Sequence, residues 1–370
     1  MSQKTVLLDT LDQWQPNASN DEFLTINTLE CNTGGEPLRI ITSGFPELQG
    51  DSILAMRRDC QQNHDDLRRA LIFEPRGHAD MYGAIITKPE RADSHFGAIF
   101  IHNEGYSTMC GHAVIALAKC AVESGAVEQT GKVTSVVIDV PCGQIRAKAL
   151  AQDFPNNKSI TLVSFESVPA FVFAQAQSVE VAGLGTVNFD IAFGGAFYAY
   201  VNAADLGLTL TPEHQSKIID YGKRIKAAVI KQITVKHPFE DDLSFLYGVI
   251  FVQESVQENE NSPSAAKVHS RNVCIFADGE LDRSPTGSGV SGRIALHVAK
   301  AEVPLQQSIV IESILGSQFT VQAIKSIHYG NNEQGYNAVI AQVTGNAFIS
   351  GKTQWLIDKN DPLKYGFLLR

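Results

Sequence analysis

The chain has 370 residues and a formal net charge of −10, from 30 lysines and arginines against 40 aspartates and glutamates. With no basic stripe to neutralise phosphates, a nucleic-acid partner is not expected, and no apolar run reaches the ~18 residues needed to span a bilayer. The length suggests about two domains of ~150 residues. The six cysteines are scattered without a C-x-x-C pair, which fits reduced thiols in a cytoplasmic protein and argues against a structural zinc site.

Residues 1–22 read as a polar N-terminal extension without the apolar stretch of a secretion signal. Residues 23–30 (FLTINTLE) and 38–43 (LRIITS) read as strands around the turn-forming CNTGGEP. Residues 51–72 read as one helix capped by Asp51, with Ile53, Leu54, Met56, Cys60, Leu67 and Leu71 at helical spacing. Strands follow at YGAIIT, FGAIFIHN, TSVVIDV, QIRAKAL and SITLVSF, interrupted only by a helix after Cys110. The β-rich GTVNFDIAFGGAFYAYV then opens a second series. A polar helix is expected over 211–228, strands at FLYGVIFV and RNVCIFA, a helix after Thr286, and strands at SIVIESI and SQFTVQAI. The acidic, Ser/Asn-rich stretch 254–267 reads as a solvated loop.

The two series look like copies. CGHAVIALAK matches TGSGVSGRIALHVAK at the start and end of each helix, and VVIDVPCGQIRAKAL parallels IVIESILGSQFTVQAI. The expected fold is α+β, with two pseudo-symmetric domains, each a mostly antiparallel sheet around one central helix. The expected units are 23–184, carrying Cys110, and 185–352, carrying Thr286, with 353–370 as a C-terminal segment packing back on the first.

The residues after Cys110 are apolar on all sides, as in a buried central helix. At its first turn the N–H groups of Gly111 and His112 are free to bind a carboxylate, and the helix dipole favours that anion. The same field is expected to lower the thiol pKa of Cys110 and make it a base. Thr286, Gly287 and Ser288 open the matching helix. Pseudo-symmetry would place that tip opposite the first, so that one small carboxylate takes N–H groups from both, with Cys110 and Thr286 on either side of its α-carbon. Two basic groups so placed would invert a stereocentre; one base and one inert hydroxyl would not. Read singly, Cys110 could be buried filler and Thr286 a simple N-cap; their pairing in repeated halves is what points to a site. Cys120, Cys142 and Cys274 read as packing residues, His64 and His78 as structural histidines, and Gly34-Gly35 as a turn. No metal is expected at His112, which lacks neighbouring ligands in sequence.

At these residues the sequence resembles the proline racemase family, whose fold is that of diaminopimelate epimerase. MCGHAVIALAK resembles its first active-site motif, and DRSPTGSGVSGRIAL its second, which usually has Cys where Thr286 stands. NTGGEPLRI, RGHADMYGA and GGAFYAYV are further similar segments, and the resemblance runs in order from about residue 23 to the C-terminus. It implies Cys110 as proton acceptor and Gly111, His112, Asp282, Gly287 and Ser288 as substrate binders, with no cofactor and a small cyclic imino acid as substrate. Asp282 would accept a hydrogen bond from the substrate ammonium, or cap its own loop. Family members with two cysteines are proline or hydroxyproline racemases and epimerases. Those with Cys then Thr are similar to dehydratases of trans-3-hydroxy-L-proline. A threonine hydroxyl is too weak an acid to serve as a second base, so dehydration is the expected activity. Racemisation or epimerisation, and a silent binding protein for cyclic amino acids, are the alternatives. A homodimer is the default assembly.

Overall fold

The alternating apolar residues at the start of the chain resolve into a hairpin. In the computed structural model, which describes residues 3–14, 22–254, 268–330 and 335–369, β1 (Phe23–Thr33) pairs antiparallel with β2 (Glu36–Ser43). Gly34 and Gly35 join them with φ of 63° and 91°, the left-handed pair that a two-residue hairpin turn requires. The N-terminal extension contains a helix, α1 (Gln3–Asp12). Its residues 15–21, and residues 255–267 of the acidic loop, lie outside the described residues.

The single helix expected over 51–72 is two: α2 (Ile53–Asn63) and α3 (Asp65–Ile72). His64, at φ −136° and ψ 15°, leaves the helical region between them, and Asp65 and Asp66 start the second helix with negative charge at its positive end. Ser52, not Asp51, caps α2, its hydroxyl accepting from the Ala55 amide at 3.1 Å.

β3 (Tyr82–Thr87) lies parallel to β2, and β4 (Phe96–His102) antiparallel to β3. β5 (Tyr106–Ser107) turns back on β4. Next α4 (Gly111–Glu123) crosses to β6 (Val133–Val140), which is parallel to β4. β7 (Gly143–Leu150) and β8 (Leu162–Glu166) follow antiparallel. The second series repeats this order. β9 (Ala170–Val181), β10 (Gly185–Phe193) and β11 (Phe197–Asn202) are antiparallel neighbours. α5 (Gln215–Gln232) leads to β12 (Leu246–Glu254), parallel to β11; the helix starts later than expected because Pro212–His214 forms a separate 3-10 turn. β13 (Val268–Phe276) and β14 (Glu280–Leu281) form the second small hairpin, and α6 (Gly287–Ala299) crosses to β15 (Ile309–Glu312), parallel to β13.

The remaining strands stitch the series together. β16 (Gln318–Gly330) pairs with β17 (Gly335–Gly345), and β17 also pairs with β8 and β9. β18 (Phe348–Asp358) returns to β1, with Asp358 opposite Phe23. Each central helix is wrapped by sheet: α4 packs on β1, β7 and β8, and α6 on β9, β10, β16 and β17. Ala113 to Ala116 are wholly buried, which explains why this helix carries no polar face. A smaller core under α2 and α3 joins Ile53, Met56 and Leu71 to Ile85 and Ile99. No described helix is long and apolar enough to cross a membrane.

Candidate active site

The two buried helices begin at one place. Cys110 caps α4 and Thr286 caps α6, and the carbonyls of these two residues accept from Val114 at 3.0 Å and Val290 at 2.8 Å. The next residue at each tip is glycine because the tips touch: a Cβ added at Gly111 would lie 2.5 Å from the Gly287 Cα, and the reverse contact is also 2.5 Å. The first-turn N–H groups have no partner within either helix, and two positive helix ends converge on one cavity. All seven residues expected from the sequence line it: Cys110, Gly111 and His112 from one tip, and Asp282, Thr286, Gly287 and Ser288 from the other and its approach. The cavity measures about 20 Å³, room for roughly one water.

At the first tip Cys110 is only 5% exposed. Cys110 Sγ lies 3.1 Å from His112 Nδ1. Burial keeps the His112 ring neutral, pulling its pKa down to about 3 against a smaller opposing effect of the Pro37 backbone. A neutral imidazole has one acceptor nitrogen, which can take a hydrogen bond from a thiol. The expectation of a lowered thiol pKa is overturned. Burial, and then the charge of Asp282, push the Cys110 thiol well above its usual range, while the Ala113 amide and the Tyr82 hydroxyl pull the other way. The helix field is real, but removing sulfur from water outweighs it.

The second tip is built differently. Thr286 has φ 67° and ψ 94°, a left-handed conformation unusual for a β-branched residue and a store of strain. Its amide donates to Ser284 Oγ at 3.1 Å. Its hydroxyl sits beside Asp282 and Cys274 without a well-aligned hydrogen bond. Asp282 does cap its loop: Oδ1 accepts from the Ser284 amide at 2.8 Å. It also faces the cavity, and burial raises its pKa. Ser288 is held by Tyr198, whose hydroxyl lies 2.7 Å from its Oγ.

Sequence reasoning missed the rest of the wall. Tyr82, Tyr198, Tyr247 and Phe276 give it an aromatic lining, and Cys274, read as packing, borders it next to Thr286. Glu36 lies wholly buried just behind. Its Oε2 accepts from the Arg283 amide at 2.7 Å, and burial together with Asp282 raises its pKa strongly. Tyr82, Tyr198 and Glu36 stand in segments singled out for their resemblance, which was the one available signal for them. Cys142, His64 and His78 do not line the cavity.

Residues 28–368 match the proline racemase family. The chain belongs to the proline racemase family. Trans-3-hydroxy-L-proline dehydratase of Colwellia psychrerythraea is 63% identical over 97% of this chain and 97% of that protein. The 3-hydroxyproline 2-epimerase of Burkholderia multivorans is 42% identical, covering 94% and 98%. Among solved structures, a hydroxyproline epimerase from Agrobacterium vitis, crystallised with trans-4-hydroxy-L-proline, superposes with a TM-score of 0.83 at 27% identity, covering 94% of this chain and 96% of that one. The fold is therefore the epimerase-like one that the resemblance implied.

Proposed function

We propose that this protein dehydrates trans-3-hydroxy-L-proline to 1-pyrroline-2-carboxylate, with Cys110 as the single base. What supports this most is the asymmetry of the paired helix tips: a thiol on one side of the cavity and an alcohol on the other. The high identity to a trans-3-hydroxy-L-proline dehydratase points the same way.

In this scheme the substrate carboxylate takes the free N–H groups of both helix tips, and Asp282 accepts from the ring ammonium. Cys110, as thiolate, removes the α-proton. The C–H electrons become the C2–C3 double bond, the C3–O bond breaks, and hydroxide leaves. In the trans-3-hydroxy-L isomer the hydroxyl lies opposite the carboxylate and hence on the α-proton's face. The thiol just formed can return its proton to the departing hydroxide as water. The enamine then tautomerises to the cyclic imine. No step passes through a cofactor. The raised thiol pKa has a use here, because a thiolate that holds its proton tightly is a stronger base toward a weakly acidic C–H. His112 positions the sulfur and stays neutral. Thr286 supplies shape and takes no part in proton transfer.

The test is incubation with the 3- and 4-hydroxyproline isomers and proline in deuterium oxide. Dehydration predicts cyclic imine from the trans-3-hydroxy-L isomer, with no label at Cα of inverted, recovered substrate. Inverted, labelled proline or 4-hydroxyproline without imine would make the protein an isomerase instead.

A further inference from the structure

A second cavity, of about 460 Å³, lies one side chain away from the helix tips. The site itself offers about 20 Å³, too little for a five-membered ring to pass unless its wall moves. The larger cavity has room for such a ring, and the two share one lining residue, Tyr247. The partition there is a single aromatic layer. The Tyr247 ring stacks 5.5 Å from Phe276, and His102 stands edge-on 5.8 Å from Tyr247 and stacked 5.7 Å from Tyr82. Tyr82 and Phe276 face the site; His102 faces the second cavity.

Both series of elements furnish this cavity. Arg57 comes from α2, Arg68 from α3, Glu104 from the turn after β4, and Lys226 from α5. Charges of both signs therefore meet across it. Some of its polar groups are unused. Both ring nitrogens of the buried His102, and Arg57 Nε, have no aligned hydrogen-bond partner among the described residues, although His102 Nδ1 lies 3.4 Å from Glu280 Oε2. Buried polar atoms are rarely left so, and those of Arg57 and His102 border this one chamber beside the site.

Building on the dehydratase reading, we propose that this chamber is an antechamber that receives zwitterionic cyclic imino acids, and that Tyr247 is the partition through which substrate and product pass. The carboxylate would meet Arg57 and Lys226, and the ring ammonium Glu104. An obstacle on a route raises one barrier that is crossed in both directions, so it slows binding and release equally and leaves affinity alone.

Gln61, exposed at the chamber's edge, allows the test. For Gln61→Phe, stopped-flow binding of pyrrole-2-carboxylate should show association and dissociation rates both reduced tenfold or more, with Kd within twofold and the melting temperature unchanged. For Arg57→Gln, association should slow and lose salt dependence relative to the unaltered protein. Unchanged rates in both variants would overturn the antechamber, as would a weakened Kd with an unchanged association rate. Failure of the unaltered protein to bind pyrrole-2-carboxylate at all would overturn the antechamber, whereas failure to form cyclic imine from trans-3-hydroxy-L-proline would overturn the dehydratase reading.

Discussion

The tips of α4 and α6 share a plan and differ in chemistry. Both present a cap residue, then a glycine pressed against its counterpart. Cys110 sits in relaxed, extended backbone at φ −143° with its sulfur against an imidazole. Thr286 sits at φ 67° with its hydroxyl poorly satisfied. A β-branched residue held there costs on the order of 1–3 kcal/mol. One tip is arranged to move a proton; the other keeps its shape at an energetic cost without acquiring a base. Shape and charge at a paired site can thus separate, the first held on both sides and the second on one.

The largest effect that can break this comparison is at Cys110. Cys110→Ser should lower dehydration by about 10³-fold or more, as loss of a general base does, with the fold intact by circular dichroism; appreciable imine from that variant would end the proposed mechanism. The contact between the tips comes next. Gly111→Ala or Gly287→Ala forces a Cβ against the opposing Cα. It should cost about 10²-fold in kcat/KM by displacing the tips by about 1 Å, and lower stability by roughly 1–3 kcal/mol in a denaturant titration.

The acidity of the sulfur can be read from a pH profile. Burial raises the Cys110 pKa, so the free protein stays protonated to higher pH and thiolate is scarce near neutrality. The rate constant kcat/KM should therefore climb with pH past the ordinary thiol value of about 8.5, and iodoacetamide alkylation should follow the same curve. An inflection below that value in either measurement would show that the helix field wins after all. The smallest effect belongs to the second tip. Thr286→Ser and Thr286→Ala should retain dehydration to within about tenfold, and Thr286→Gly should melt at a higher temperature by releasing backbone strain. A Thr286→Ala protein as inactive as Cys110→Ser would make the hydroxyl an acid–base partner.

The helix tips were legible in the sequence because each is a contiguous motif: cap, glycine and apolar run report their own geometry. The repeat of the two halves was legible for the same reason. The aromatic wall was not. Tyr82, Tyr198, Tyr247 and Phe276 come from four strands, and alternation along a strand tells which face is inward without telling which cavity it meets. Cys274 failed in the same way: it is a buried strand cysteine like Cys31, and the pairing of β13 with β14 is what brings the chain round to Thr286 beside it. The break at His64 was masked by apolar spacing that continues on both sides of it. The thiol pKa went wrong for an energetic reason, since a sequence displays the helix dipole but not the depth of burial that opposes it.

The return of β18 to β1 carries a consequence for biosynthesis. The segment Phe23–Thr33 is made well before the partner for its outer edge, Phe348–Asp358, which lies far downstream in the chain. That edge must wait, open to the wrong neighbours, while all the intervening strands are made. A transcript truncated before this final segment would release a product with an unpaired border and a strong tendency to clump.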